Sequence, residues 1–163
     1  NFVGAKYPNR EETLQALVAA GLPVRAYGRA WSRHPYDILR TKQFKDSGVP
    51  AGRDVDRSEA YGIMASSPAT LNIHNNQDGF TMRTFEAPGV GALQVIDRPD
   101  VDRYYIPGEE VLVYESIDEL IEICTRIFRD PKWARKIREA GQKRTLAEHT
   151  FDQRVKILEQ LWA

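Results

Sequence analysis

The chain has 163 residues, 42% of them hydrophobic and 28% charged, which is typical of one soluble globular domain. Lys and Arg total 23, as do Asp and Glu, so the formal net charge of zero gives no overall field that would attract nucleic acid or anionic lipid. The single cysteine excludes an internal disulfide and a multi-cysteine zinc site, and we therefore expect a reducing, cytoplasmic environment. Apolar runs are too short for a membrane span, and the first residues lack a signal-peptide pattern.

The first part of the chain is predicted to alternate short strands with helices. The predicted elements are a strand end at 2–4, a helix from Asn9 to Gly21, a strand at 23–28, a short helix at 37–44 and a helix opened by Asp56. Asn9 and Asp56 are each followed three residues later by Glu, the spacing of a capping box. Several Pro and Gly residues between 29 and 57 favour loops there.

The second part continues the alternation and ends in helices. The predicted elements are strands at 69–74, 92–96 and 111–114, a helix at 81–89, and three helices opened by Ser116, Asp130 and Thr150. Strands separated by helices imply right-handed crossovers and a parallel sheet. We predict an α/β fold, Rossmann-like, in one domain over 1–163, with the last helices packed outside the sheet or against a partner.

Polar side chains concentrate in segment 74–86, directly after one predicted strand. In an open parallel sheet, ligands bind beyond the carboxyl ends of the strands, where helix N-termini direct free N–H groups outward. Arg83 is suited to phosphate oxygens, and Glu86 lies three residues later on the same helical face, where it can accept hydrogen bonds from two ribose hydroxyls. The alternative is a surface ion pair worth at most ~1 kcal/mol. The first predicted helical turn, whose N–H groups can bind phosphate, comprises Thr81, Met82, Arg83 and Thr84.

Several stretches of this sequence together resemble the nucleotide-sugar-binding half of group 1 glycosyltransferases, with the spore-maturation-protein type as the most similar branch. They lie at 71–74, 78–87, 91–93, 107–114, 130–131, 140–144 and 148–151. The first strand and 27–31 agree more loosely. The resemblance implies a GT-B architecture, in which two Rossmann-like domains face a cleft, with this chain as the C-terminal, donor-binding domain.

The resemblance also implies roles for particular residues. The family motif has two acidic residues separated by seven others, and Asp78 and Glu86 have that spacing, with Asp in place of the usual first Glu. Glu86 would hold the ribose, and the turn from Thr81 to Thr84 would hold the diphosphate together with Arg83. Asp78 would act on the sugar or on the charge at its anomeric carbon, or else cap the turn before the helix. Arg83 and Asp78 are thus the candidate catalytic residues.

No metal ion or other cofactor is expected. Negative charge grows on the bridging oxygen of a nucleoside diphosphate as the sugar leaves, and donors already directed at that oxygen lower the barrier. A helix N-terminus and Arg83 can supply those donors. The resemblance implies that the acceptor and any general base come from an N-terminal lobe, and that this chain alone does not turn over. The start at Asn1 instead of Met suggests a cut between two lobes.

Other residues near the predicted strand ends are secondary candidates. Gly28 ends a strand, where a glycine lets the backbone approach a ligand closely, although a plain turn would also explain it. His74 is a candidate for the donor sugar or for a structural hydrogen bond, and the loop from Val49 to Val55 is the candidate for base recognition. The cations Lys6, Arg10 and Arg29 could reach the diphosphate or remain solvated.

Two other functions remain open from the sequence alone. One is a non-catalytic nucleotide- or protein-binding module of the same fold, which the Asp at position 78 supports. The other is a lobe of a sugar-nucleotide epimerase.

Overall fold

A computed structural model describes residues 1–74 and 78–162, which form one six-stranded parallel sheet with helices packed against it. The strands are β1 (Phe2–Val3), β2 (Ala26–Tyr27), β3 (Ala51–Gly52), β4 (Thr70–Asn72), β5 (Gln94–Ile96) and β6 (Leu112–Val113). Their order across the sheet is β3-β2-β1-β4-β5-β6, and all paired strands are parallel. This is the Rossmann order, and it confirms the predicted α/β fold.

Helices cover both faces of the sheet because neighbouring residues of each strand point to opposite sides. The described α-helices are α1 (Pro8–Ala19), α2 (Pro35–Thr41), α3 (Arg57–Ser66), α4 (Arg83–Gly89), α5 (Ile117–Arg129), α6 (Pro131–Glu148) and α7 (Phe151–Trp162), and Pro99–Arg103 forms a 3-10 helix. Phe2 joins the core cluster that contains residues of α1 and α5. Val3 joins the cluster of α3 and α4, and Ile96 joins that of the 3-10 helix.

The predicted starts of α1 and α4 are each wrong by one or two residues. α1 begins at Pro8, with Tyr7 as its N-cap, so Asn9 lies inside the helix. The fixed φ of proline and its missing N–H suit the first helical position, which the capping-box interpretation overlooked. α4 begins at Arg83 instead of Thr81, because the chain first forms a turn in which the N–H of Thr84 donates to the carbonyl of Thr81 at 3.0 Å.

Several strand and helix bounds also differ from the prediction. β3 was expected to be loop, and the predicted strand at 23–28 is reduced to Ala26–Tyr27. Strands of two residues, such as β2 and β3, are too short to carry a periodic pattern. α2 begins at Pro35, again at a proline, and ends at Thr41, so the helix predicted at 37–44 lies slightly too far along the chain.

The C-terminal helices pack outside the sheet, as predicted. α6 lies against α4, and the hydroxyl of Tyr105 is 2.8 Å from that of Thr145 on α6. Gly141 permits this packing, because a Cβ at that position would stand 2.2 Å from the carbonyl oxygen of Glu110. Within the part of the chain that the structure describes, no helix has the length and apolar character needed to cross a membrane.

Candidate functional site

An open cleft of about 670 Å³ lies at the carboxyl edge of the sheet. It opens where β1 and β4 are neighbours, and the chain leaves β1 toward β2 on one side and β4 toward β5 on the other. Connections that diverge in this way leave a crevice, which is where open α/β sheets bind ligands. The cleft therefore falls where the sequence predicted a binding site. Its lining includes Gly4, Gly28, Ile73, residues 54–57 and residues 81–83 together with Glu86.

A buried polar network holds the first turn of α4 against β4. The side-chain amide of Asn72 donates to the hydroxyl of Thr84 at 3.1 Å and to Gln94 Oε1 at 3.2 Å. The Thr81 hydroxyl donates to Asn72 Oδ1 at 3.4 Å. Buried polar groups that are satisfied in this way fix a single geometry. The turn that leads into α4 is thus fixed from the sheet side, and its other side faces the cleft.

Arg83 and Glu86 lie at the cleft as a half-buried pair. Arg83 Nη1 is 3.4 Å from Glu86 Oε2, and the two side chains are 24% and 17% exposed. Glu86 Oε1 accepts a hydrogen bond of 2.7 Å from the hydroxyl of Tyr61 on α3, and Arg83 Nη1 also contacts the sulfur of Met64 at 3.2 Å. These contacts from a second helix distinguish the pair from a solvated surface ion pair.

The pKa of Tyr61 is raised above its ordinary value, first by burial and then by the hydrogen bond to Glu86. Burial disfavours the charged phenolate, and a neighbouring carboxylate disfavours it further. The Tyr61 hydroxyl therefore remains a proton donor to Glu86 throughout the neutral pH range.

The predicted phosphate turn is partly supported by the geometry. Thr81, Met82 and Arg83 line the cleft, and Met82 is 52% exposed. Thr84 lies behind them, fully buried, with its hydroxyl bound to Asn72 and its N–H to Thr81. Because its side chain is fully buried and its N–H is already bound within the fold, Thr84 has a structural position and does not face the cleft.

Gly28 lies in the cleft lining and is required by the fold itself. Its φ is +150°, and a Cβ there would stand 2.6 Å from the carbonyl oxygen of Gly4 and 3.3 Å from the ring of Trp31. The same Gly4 carbonyl accepts a hydrogen bond from the Trp31 indole at 3.0 Å. A side chain at position 28 would thus separate the loops after β1 and β2.

Asp78 lies apart from this group. It is exposed and is not among the residues that line the cleft. Arg98 donates to the carbonyl of the adjacent residue, Gly79, at 3.1 Å. The pKa of Arg98 is raised mainly by its hydrogen bond to Asp100 and in smaller part by the charge of Asp78. The catalytic role of Asp78 stays a prediction.

The three secondary cations already have partners in the fold. Lys6 pairs with Glu11 at 2.9 Å and lies outside the cleft lining. Arg10 lines the cleft but donates to the carbonyls of Ile73 at 2.8 Å and Ala5 at 3.1 Å, and burial lowers its pKa. Arg10 therefore joins the loop after β1 to the end of β4. Arg29 lines the cleft on the opposite wall.

His74 is buried at the end of the key strand. Its Nδ1 lies 2.8 Å from Asp97 Oδ1, and its backbone N–H donates to Asp97 Oδ2, also at 2.8 Å. Its carbonyl accepts from Asn9 at 2.7 Å, and Phe80 packs edge-on against the ring. This arrangement supports the structural interpretation. The rest of the polar run at 75–77 lies outside the described residues.

The wall opposite α4 is formed by residues 54–57, within or next to the predicted base loop. Asp54 pairs with Arg29 at 2.7 Å. The preceding Arg53 donates to Asp37 of α2 at 2.9 Å, and Asp37 also accepts from Ser32 at 2.7 Å. These hydrogen bonds, that of Arg53 above all, lower the pKa of Asp37. Asp37 is thus a buried attachment of this wall.

The sequence interpretation missed Tyr61 and the pair of Asp37 with Arg53. The sequence indicated only that Tyr61 belongs to a helix, and Glu86, to which its hydroxyl donates, lies 25 residues away. Asp37 and Arg53 are 16 residues apart with no periodic relation. Among residues 1–74 and 78–162, no cluster of three or more His, Cys, Asp or Glu side chains could hold a metal ion. Independence from metal remains a prediction.

The sequence model of the family described as "Glycosyl transferase-like" matches residues 10–160, and the chain belongs to that family. This confirms the glycosyltransferase resemblance at the level of family, and the spore-maturation-protein branch stays a prediction. No curated protein matches the chain.

Solved structures share the fold at low sequence identity. Sucrose-phosphate synthase from Thermosynechococcus elongatus has a TM-score of 0.70 and 16% identity, covering 99% of this chain and 45% of that one. HepE of Anabaena in complex with UDP-glucose has a TM-score of 0.71 and 15% identity, covering 98% and 47%. A glycosyltransferase from Rickettsia africae has a TM-score of 0.73 and 13% identity, covering 99% and 46%. The chain thus spans about half the length of these proteins.

Proposed function

We propose that the chain binds a nucleoside-diphosphate sugar in the cleft between β1 and β4, as the donor for glycosyl transfer. The observation that carries this proposal is the half-buried pair of Arg83 and Glu86, one helical turn apart at the cleft. A guanidinium and a carboxylate at that separation match a diphosphate next to a ribose. Membership of the glycosyltransferase family and the likeness to HepE, which was solved with UDP-glucose, support it.

Each part of the donor has a candidate partner. Glu86 accepts hydrogen bonds from the ribose hydroxyls. Arg83 and the backbone N–H groups of the turn at 81–82 bind the diphosphate, and the loop at 49–55 meets the base on the opposite wall. The bare backbone at Gly28 leaves room for the donor between the two walls. Thr84 is left out of this set because its polar groups are bound inside the fold.

In transfer, the bond between the sugar carbon and the bridging diphosphate oxygen breaks, and charge accumulates on that oxygen. Arg83 is already held beside the cleft by Glu86 and Met64, so it stabilises the departing diphosphate without reorganisation. No metal ion is needed for this step. An N-terminal lobe supplies the acceptor and any general base, so the chain alone binds donor without turning it over. We place the reaction in the cytoplasm.

Calorimetric titration of the 163-residue chain with UDP, GDP, ADP and TDP tests the proposal. At least one nucleotide should bind, and Glu86→Ala should weaken it by about ten- to a hundredfold, the value of a hydrogen bond to a charged group. Glu122→Ala is the matched control, because Glu122 is exposed on α5, away from the cleft. Absence of binding, or equal binding by Glu86→Ala, would overturn the proposal.

One observation favours a second candidate, a nucleotide-binding module without transfer activity. Asp78 is exposed and lies outside the cleft lining, whereas the groups assigned to binding line it. Transfer of a radiolabelled sugar by the chain joined to an acceptor lobe separates the two functions. If the chain is a binding module without transfer activity, it should bind the donor but transfer no sugar to any acceptor tested.

A further inference from the structure

Tyr61 lies behind Glu86, on the side away from the cleft. Its hydroxyl donates to Glu86 Oε1 at 2.7 Å, while Tyr61 itself is not among the residues that line the cleft. Arg83 approaches the other oxygen, Glu86 Oε2, at 3.4 Å. The carboxylate is therefore held from two sides by groups that belong to two different helices.

This arrangement leaves hydrogen-bonding capacity on Glu86. An ionised carboxylate has about four lone-pair positions, and the Tyr61 hydroxyl uses one of them. Arg83 faces Oε2 as an ion pair at 3.4 Å. The remaining positions are enough to accept hydrogen bonds from both the 2′- and the 3′-hydroxyl of a nucleotide. A free Glu side chain on a helix would lose rotamer entropy when it bound the ribose, and this loss would weaken binding. The hydrogen bond from Tyr61 fixes the carboxylate before the ligand arrives.

The surroundings of Tyr61 keep this hydrogen bond in place. The Tyr61 ring packs in the cluster of Met64, Ala87 and Ala92, which joins α3 to α4. Its raised pKa, caused first by burial and then by the hydrogen bond to Glu86, keeps the hydroxyl protonated, so its hydrogen stays available for the carboxylate.

We propose that Tyr61 is a positioning residue for ribose recognition: it orients the Glu86 carboxylate so that its free lone pairs meet the 2′- and 3′-hydroxyls of the donor nucleotide. The site consequently selects ribonucleotides over deoxyribonucleotides. This inference rests on the proposed function, because it needs Glu86 to contact the ribose.

The experiment compares UDP with 2′,3′-dideoxy-UDP, which lacks both hydroxyls, by calorimetric titration of the full chain. Tyr61→Phe removes only the phenolic oxygen. It should weaken the affinity for UDP by about three- to tenfold, because a hydrogen bond that orients the ribose-binding carboxylate is lost. The affinity for 2′,3′-dideoxy-UDP should change by less than about twofold. In a Glu86→Gln background, Tyr61→Phe should cause no further loss of UDP affinity. Tyr36→Phe, at an exposed tyrosine of α2, is the control.

The other outcomes overturn the inference in distinguishable ways. Equal weakening of both ligands would show that Tyr61 acts on the whole site through packing, and tighter binding of UDP would show that its hydroxyl competes with the ribose. If Glu86→Gln abolishes the preference for UDP while Tyr61→Phe leaves it intact, only the role of Tyr61 fails. If Glu86→Gln itself leaves the preference intact, the ribose assignment in the proposed function fails. Tyr61→Leu repeats the test if Tyr61→Phe does not fold, as circular dichroism would show.

Discussion

The two walls of the cleft are built differently. On the α4 wall, Asn72 and Thr84 are buried and hydrogen-bonded to each other, and the Glu86 carboxylate in front of them is bound from a second helix. On the opposite wall, Arg29 and Asp54 form an ion pair with each other, and their own side chains are 41% and 50% exposed. In the proposed function, a fixed wall suits the ribose and diphosphate, which UDP-, GDP- and ADP-sugars share, and an adaptable wall suits the base, which differs among them.

The largest expected effect falls on the α4 wall and concerns the diphosphate. Arg83→Ala should weaken the affinity for UDP by about ten- to a hundredfold, because charge-assisted hydrogen bonds to phosphate are lost. The affinity for uridine, which has no phosphate, should change by less than about twofold. Calorimetric titration with both ligands measures this. Arg129→Ala, at an exposed arginine that ends α5, is the matched control. An equal loss for uridine would place Arg83 away from the diphosphate.

The sequence predicted the framework of this wall but not its details. Glu86 follows Arg83 at helical spacing, so both could be assigned to one face before any contact was known. The sequence assigned the N–H of Thr84 to phosphate as part of the first helical turn, but the helix begins later and this N–H donates to the carbonyl of Thr81. The Thr84 side chain is buried against Asn72, which is distant in sequence. Tyr61 and the pair of Asp37 with Arg53 escaped notice for the same reason. Periodicity reports the face of one element, whereas these contacts join two elements.

The second prediction concerns the stability of the α4 wall. Thr84→Val keeps the side-chain shape but leaves an amide hydrogen of Asn72 without its acceptor in a buried site. We expect the free energy of unfolding to fall by about 1–3 kcal/mol, measured by urea denaturation. Thr84→Ser, which keeps the hydroxyl, should lose less. If Thr84→Ser loses more than Thr84→Val, the methyl group and not the hydrogen bond supports the wall.

The third prediction concerns Asp37, a buried attachment of the opposite wall. The pKa of Asp37 is lowered in the folded protein, chiefly by the hydrogen bond from Arg53. A lowered folded pKa stabilises the protein above the ordinary Asp pKa of about 3.9, and this stabilisation is lost as the pH falls through the folded value. Asp37→Asn should therefore be less stable than the native chain at pH 7, and the difference should shrink below about pH 4. A difference that is constant with pH would mean that the charge of Asp37 contributes nothing.

The smallest effect should come from the exposed pair on the opposite wall, and it tests the comparison most directly. Asp54→Asn removes the charge that Arg29 contacts at 2.7 Å, but both side chains are largely in water, so the free energy of unfolding should fall by less than about 1 kcal/mol. Added salt should reduce even this difference, because solvent ions screen exposed charges. Denaturation at low and high salt measures both effects. A loss above about 2 kcal/mol that salt does not change would be too large for an exposed ion pair. The opposite wall would then be as firmly fixed as the α4 wall, and its proposed adaptability to different bases would have no physical basis.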